Sequence, residues 1–319
     1  VNGRDELRKL REENARLKEL LTRHGISWEV PVVPEPASVP LESPQTRTPL
    51  TAGDKIALFR RLFRGREDVF PKRWESPRGT SGYSPACANE WKPGICDKPR
   101  VKCAACARRE LMPVTDQVMY DHLAGKQTIG VYPLLTDDSC FFLAVDFDGS
   151  DWREDAGAFM KSCRELGIPM ALEISRSGNG AHAWFFFSEN IPAREARQLG
   201  EVLISHTCDR IRQLSLASYD RLFPNQDTLP KGGFGNLIAL PLQKHPRELG
   251  RSVFVDERLI PYPDQWGFLA SVSSMTRRDV ENSISRAGGG RHLLDVSFAS
   301  GEENDKPWQS PAPVAAKIP

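Results

Sequence analysis

Long hydrophobic runs are missing from this sequence, and so is an excess of charge of either sign. No stretch approaches the roughly 18 consecutive apolar residues of a membrane-spanning helix. The first residues, VNGRDELRKLREEN, contain no apolar signal-peptide core, so we expect a cytoplasmic protein. The 43 Lys and Arg residues almost balance the 42 Asp and Glu residues. This balance excludes a uniformly basic coat for nucleic acid but leaves room for local basic patches.

The two ends of the chain differ from its middle. Residues 1–25 are predicted to form an N-terminal helix. Its heptad pattern favours a parallel homodimeric coiled coil through residues 4–24, and the alternative is a solvated helix that docks on its own domain. Residues 26–50 are rich in proline and predict an extended linker. Residues 276–319 are predicted to be a C-terminal extension, disordered from about residue 300. The heptad a and d positions are Leu7, Leu10, Asn14, Leu17 and Leu21.

The middle of the chain alternates between strand and helix patterns. Residues 140–147 and 168–175 are apolar runs typical of buried strands, and a helical pattern lies between them. A third strand at 182–187 precedes a helix that runs to about Leu214, and short strands are expected at 237–242 and 252–256. This order predicts an α/β (α+β) domain over residues 111–275, with a split arrangement and a mixed sheet.

Four cysteines form a cluster in the preceding region, residues 51–110, after a helix predicted at 53–64. Their spacing is C-x8-C-x6-C-x2-C, and prolines, glycines and cations surround them. Such a loop buries little apolar surface, so we predict that a structural zinc ion with four thiolate ligands stabilises it. The alternative is four unrelated buried thiols. The four residues are Cys87, Cys96, Cys103 and Cys106; the remaining cysteines, Cys140, Cys163 and Cys208, are expected in the core.

Two carboxylates end the first buried strand. Asp146 and Asp148 are two residues apart, so their side chains lie on the same face of a strand. Adjacent carboxylates repel each other unless a proton or a cation lies between them. Mg²⁺ and Mn²⁺ prefer oxygen ligands, so the pair is a candidate site for two-metal phosphoryl transfer. The alternative is a turn in which Asp151 caps the next helix.

The segment SRSGNGAH (175–182) predicts a tight turn rich in glycine. Backbone N–H groups in such a turn favour anions, and its polar side chains extend this preference to phosphate. The alternative is an ordinary hairpin in which the histidine is only a sheet residue. The candidate phosphate-binding residues are Arg176, Ser177, Asn179, Gly180 and His182.

These stretches, followed by SYDRLFPNQD and GFGNLIALPLQ, resemble the archaeo-eukaryotic primase superfamily. Within it, the chain is most similar to the primase-polymerase domain of the TOTE conflict systems of prokaryotes, over about residues 52–275. The resemblance implies an RRM-like split βαββ sheet that carries the catalytic acids.

The resemblance also assigns roles to single residues. Asp146 and Asp148 match the ligands of the two catalytic Mg²⁺ or Mn²⁺ ions, and Asp220 best matches the third carboxylate, with Asp227 as the alternative. Ser177 and His182 match the motif that holds the phosphates of the incoming nucleotide.

The implied function is template-directed nucleotidyl transfer on single-stranded DNA with nucleoside triphosphates. The cationic cysteine module is expected to help grip the template. No Walker A sequence is present, so helicase or nuclease activities are expected on partners or on a longer chain. Two rival functions are a two-metal phosphodiesterase or nuclease and a catalytically inactive, zinc-bearing nucleic-acid adaptor.

Overall fold

The computed structural model describes residues 3–24, 50–210 and 216–288. They divide into two units, one before Leu50 and one from Leu50 onwards. The first unit holds a single described helix, α1 (Gly3–Arg23), as the sequence predicts. The coiled-coil dimer stays a prediction. The predicted linker, except for residue 50, and the tail from residue 300 lie outside the described residues.

The second unit alternates helices and strands. Its described helices are α2 (Ala52–Leu62), α3 (Asp116–Leu123), α4 (Trp152–Glu165), α5 (Ala193–Arg210), α6 (Lys244–Glu248), α7 (Gln265–Ser271) and α8 (Arg277–Ala287). Its described strands are β1 (Pro71–Glu75), β2 (Ser81–Pro85), β3 (Gly130–Val131), β4 (Ser139–Asp148), β5 (Ala171–Ile174), β6 (Gly180–Pro192), β7 (Tyr219–Phe223), β8 (Ile238–Ala239) and β9 (Val253–Val255). None of the helices in the three described ranges has the length and apolarity that a membrane crossing requires.

The central sheet has five strands in the order β7-β4-β6-β5-β9. Every neighbouring pair is antiparallel, so the prediction of a mixed sheet is wrong. The reason is the tight turn after β5, which inserts β6 between β4 and β5. Those two strands are joined through α4 and run parallel to each other without being neighbours. The mixed α/β fold and its split β-α-β arrangement are therefore confirmed.

Hydrophobic cores cover both faces of this sheet. On one face, α4, α5 and α8 pack against residues such as Val145 and Phe147. On the other face, α2 and α3 cover Phe142 and Trp184, and the ring of Phe63 lies 4.9 Å from that of Trp184. Burial on both sides explains why residues 140–147 form a continuous apolar run. The carboxylates lie at the end of β4, where the strand is no longer fully buried on both faces.

The two shorter sheets differ from the sequence prediction. The strand predicted at 237–242 is the two-residue β8, which pairs with β3 outside the central sheet. The strand predicted at 252–256 is β9, at the edge of the central sheet. The β1–β2 hairpin, which leads into the cysteine cluster, was not predicted. Its sequence, PKRWE and SGYSP, has little apolar alternation to identify it.

His122 on α3 should make stability depend on pH. Its Nε2 lies 2.9 Å from the Pro241 carbonyl, and its Nδ1 accepts from Ile129 N–H. Burial lowers the pKa of His122 to about 4. As the pH falls from about 6.5 towards 4, the unfolded chain binds a proton that the folded chain excludes, which removes up to about 3 kcal/mol of stability.

This effect is measurable by chemical denaturation across the acidic range. The free energy of unfolding of the wild type should fall more steeply with decreasing pH than that of His122→Gln, which cannot titrate. The comparison uses slopes, so an overall loss of stability in the variant does not matter. Parallel slopes would refute the assignment.

Candidate active site

A row of charged side chains crosses the central sheet. Asp146 on β4 lies opposite His182 on β6 and opposite Arg221 on β7. His182 in turn lies opposite Glu173 on β5. Residues directly opposite each other in antiparallel strands project from the same face. The register therefore places these four side chains on one face of the sheet.

His182 lies between two carboxylates. Its Nδ1 is 3.0 Å from Glu173 Oε2, and its Nε2 is 3.5 Å from Asp146 Oδ1. Burial lowers the pKa of this imidazole, but the adjacent Glu173 and Asp146 carboxylates offset that effect, and the pKa is raised overall. His182 is thus a sheet residue, as one alternative held, and also a neighbour of the Asp146 carboxylate.

Glu173 was not identified from the sequence. Its side chain is almost completely buried and accepts hydrogen bonds from Trp184 Nε1 at 2.9 Å and Ser252 Oγ at 3.3 Å. A buried carboxylate persists only where such donors satisfy it. The signal in the sequence was one acidic residue inside the apolar run IPMALEIS, which we interpreted only as a strand.

The predicted carboxylates influence one another. Burial raises the pKa of Asp146 above its ordinary value, and the negative charges of Asp220 and Asp148 raise it further, against the attraction of His182. Asp148 is exposed at the end of β4. Asp220 lies within β7, and it accepts a hydrogen bond of 2.7 Å from Arg221. Asp146 is therefore close enough to both carboxylates to be affected by their charge.

Asp227 has a different environment. Its carboxylate pairs with Arg197 of α5 at 2.6 Å, and its charge raises the pKa of Glu201 on the same helix. Asp220, in contrast, raises the pKa of Asp146. Asp220 stays the preferred candidate for the third carboxylate, because it is adjacent in sequence to Arg221, which lies opposite Asp146.

Metal binding is not confirmed by the arrangement of the side chains. Within residues 3–24, 50–210 and 216–288, no group of three or more His, Cys, Asp or Glu side chains is placed to hold a metal ion. The donor chemistry at Asp146, Asp148 and Asp220 still fits a hard cation, because these are oxygen ligands whose mutual repulsion a cation would relieve.

The glycine turn connects β5 to β6 as predicted. Ser175 N–H donates to the Gly180 carbonyl at 2.9 Å, and Gly178 has a φ of +80°. Asn179 N–H donates to Ser177 Oγ at 3.1 Å. A Cβ on Gly180 would lie 2.4 Å from the Phe147 carbonyl oxygen, so only glycine allows β6 to approach β4 next to Asp148.

Two arginines lie at this turn. The Arg176 guanidinium is 3.6 Å from Glu75, yet its buried Nε has no hydrogen-bond acceptor in the described structure. Arg251 Nε lies 2.9 Å from the position that a Cβ on Gly178 would take. Nothing in the sequence marked Arg251, which is 73 residues from the turn. An unsatisfied buried donor and a second guanidinium at the same turn are groups that suit an anionic ligand.

The four clustered cysteines line one small cavity of about 20 Å³. Their thiols are not oxidised to disulfides, and Glu110 N–H donates to Cys87 Sγ at 3.3 Å. Arg109 connects this module to the loop after β7 through the Ala104 and Gly232 carbonyls. Cys140 and Cys163 are buried in the core as predicted, and Cys208 packs against it.

Comparison with known proteins gives a structural similarity and a family match. The polymerase domain from Mycobacterium tuberculosis ligase D, in complex with DNA, is similar over 75% of this chain and 90% of that chain, with 14% identity and a TM-score of 0.36. No curated protein gives a significant match. Residues 54–283 match the model of the archaeo-eukaryotic primase domain of TOTE conflict systems. This match covers most of the chain and includes the cysteine module, the sheet and both arginines of the turn, so the chain belongs to the family of archaeo-eukaryotic primase domains found in TOTE conflict systems.

Proposed function

We propose that this protein is a template-directed nucleotidyltransferase that adds nucleotides to a nucleic-acid strand. The observation that carries the proposal is the Asp146–His182–Glu173 row, which joins the predicted acidic and phosphate-binding motifs on one face of the sheet. Membership of the primase family supports the same activity. The proposed substrates are a single-stranded DNA template and nucleoside triphosphates.

In this proposal, Asp146, Asp148 and Asp220 would hold Mg²⁺ or Mn²⁺. The bound cations would supply charge neutralisation and a lowered pKa for the attacking hydroxyl. The protein itself positions the triphosphate. His182 Nε2, Arg176 and Arg251 would donate to phosphate oxygens, and the N–H groups of the glycine turn would add a neutral anion-binding surface.

Arg251 extends the nucleotide-binding set that the sequence predicted. Its guanidinium makes no ion pair with any described residue, and it borders Gly178, whose positive φ shapes the turn. Ser177 Oγ already accepts from Asn179 N–H, so Ser177 contributes by shaping the turn as well as through its own hydroxyl. Gly180 contributes because the absence of a side chain lets β6 approach β4 next to Asp148.

A zinc ion in the cysteine module is also proposed. All four cysteines line the same cavity, and a backbone N–H already donates to one sulfur, although the four side chains are not arranged as a metal site in the described part of the chain. A module of this kind would grip the template, and Trp91, which is 64% exposed, would stack on a base. Lys98 lies 5.7 Å from the Trp91 ring centroid and would place a cation next to it.

Replacing Cys103 by serine is expected to remove zinc and to loosen residues 80–110, because one of four thiolate ligands is lost. Zinc content by elemental mass spectrometry and limited proteolysis measure the two effects. Cys208→Ser, outside the module, is the matched control and should keep both at wild-type levels. A wild-type protein purified without zinc would refute the site.

The experiment that tests the function separates it from its rivals. The protein is incubated with Mg²⁺ or Mn²⁺, a labelled primer on a single-stranded template, and dNTPs or NTPs. Longer labelled strands are expected. Shortened strands would favour the phosphodiesterase or nuclease, and strands that are bound but unchanged would favour the inactive adaptor.

A further inference from the structure

A second cavity lies at the other end of β4 from the catalytic carboxylates. It has a volume of about 570 Å³, and its lining includes Arg60, Arg61, Arg64, Phe141, Ser188 and Ser274. Phe141 and Asp146 are five residues apart on one strand, which is roughly 17 Å. The cavity is thus distinct from the proposed nucleotide site, and its volume is in the range of small-molecule pockets.

The charge of this cavity is positive. Two arginines of α2, Arg60 and Arg61, line it together with Arg64, which follows the end of the helix, and Glu67 is the carboxylate among its lining residues. Arg60 pairs with Asp116 at 2.7 Å, and Arg64 is 3.8 Å from Glu67. Arg61 is exposed and makes no ion pair with any residue that the structure describes. At least one guanidinium is therefore available to an anionic ligand.

An aromatic ring fixes the second guanidinium. The Arg64 guanidinium lies 4.1 Å from the centroid of the Phe141 ring. Phe141 is placed there by the β-bulge between Cys140 and Phe142. A guanidinium held on an aromatic ring loses little conformational entropy when it binds an anion, and its planar fork matches phosphate oxygens.

We propose that this cavity binds the phosphate backbone of single-stranded nucleic acid, several nucleotides away from the catalytic carboxylates. Arg61 on α2 and Arg64 just after the end of that helix are two separate guanidinium groups that line one cavity, which suits several phosphates of a strand better than the phosphate of one free nucleotide. The distance from Asp146 assigns the cavity to the strand rather than to the incoming triphosphate. Whether the bound strand is the template or the product rests on the proposed function. The binding of a strand at this cavity is independent of that function.

The test measures the affinity of the full chain for single-stranded DNA by fluorescence anisotropy, without nucleotides or divalent metal. With an oligonucleotide of about 20 nucleotides, Arg61→Glu is expected to weaken binding roughly ten-fold and to reduce the salt dependence by about one phosphate contact. Arg194→Glu, an exposed arginine on α5 on the other face of the sheet, makes the same charge change and is the control. Arg64→Gln should weaken binding in the same direction.

The outcomes are separable. Equal losses from Arg61→Glu and Arg194→Glu would mean a general charge effect and would overturn the proposal, as would wild-type affinity in Arg61→Glu. Competition by a free nucleoside monophosphate that equals competition by the oligonucleotide would also overturn the assignment to a strand. Since the assay needs no turnover, a protein without polymerase activity would still give a decisive result.

Discussion

Asp146→Asn is expected to lower nucleotide incorporation by about three orders of magnitude. The substitution keeps the shape of the side chain and removes the charge that would hold a divalent cation in the proposed site. Asp146 is the carboxylate that interacts with Asp148, Asp220 and His182 at once, so its loss disrupts the whole site. Primer extension with Mg²⁺ and with Mn²⁺ measures the effect.

The stability of this variant provides a second readout. In the folded protein Asp146 is partly buried and repelled by two carboxylates, which raises its pKa. Neutral asparagine removes that repulsion, so the melting temperature should stay the same or rise. Asp227→Asn is the matched control, because Asp227 pairs with Arg197, and it should retain incorporation. Extension by Asp146→Asn at the wild-type rate would contradict the assignment of Asp146 as a ligand of the catalytic cations.

His182→Ala is expected to reduce kcat/KM for the nucleotide by roughly ten- to a hundred-fold. The reason is that losing a charge-assisted hydrogen bond to phosphate costs about 1.5–3 kcal/mol. Affinity for single-stranded DNA should barely change, because separate cations determine it. A purely structural role predicts the reverse: a lower melting temperature with unaltered kinetics per folded molecule. Measuring both quantities on the same preparation decides between the two.

The same experiment extends to Glu173, which we interpret as a positioning residue for His182. If Glu173 acts through the imidazole, Glu173→Gln and His182→Ala should not be additive, and the double variant should be no slower than His182→Ala alone. Ser252→Ala removes one hydrogen bond to Glu173 without touching His182 and should have a small effect. Fully additive losses would show that Glu173 acts independently of His182.

Much of the central domain could be predicted from its sequence because local patterns determine it. The apolar run of β4, the amphipathic stripe of α4 and the glycine turn before β6 are each contained in a short segment. The antiparallel order of the sheet was not predictable in the same way, because it depends on which strand inserts between β4 and β5. The two-residue strands β3 and β8 are too short to give a periodic signal.

The site was predictable where its residues belong to motifs and not where the fold alone brings them in. Asp146 and His182 stood out through neighbouring residues, and the register then placed them opposite each other. Arg251 reaches the glycine turn from a distant loop, and Glu173 is hidden in an apolar strand. Neither position has a local signature, because its role comes from contacts across strands.

If the chain copies a template, the template base should determine which nucleotide is incorporated, and homopolymer templates measure this selection. The wild-type protein is given Mg²⁺ or Mn²⁺, a primed oligo-dT or oligo-dC template, and one labelled nucleotide at a time. We expect incorporation of the adenine nucleotide on oligo-dT and of the guanine nucleotide on oligo-dC, and neither in Asp146→Asn. Incorporation that ignores the template, or none with either metal, would contradict it.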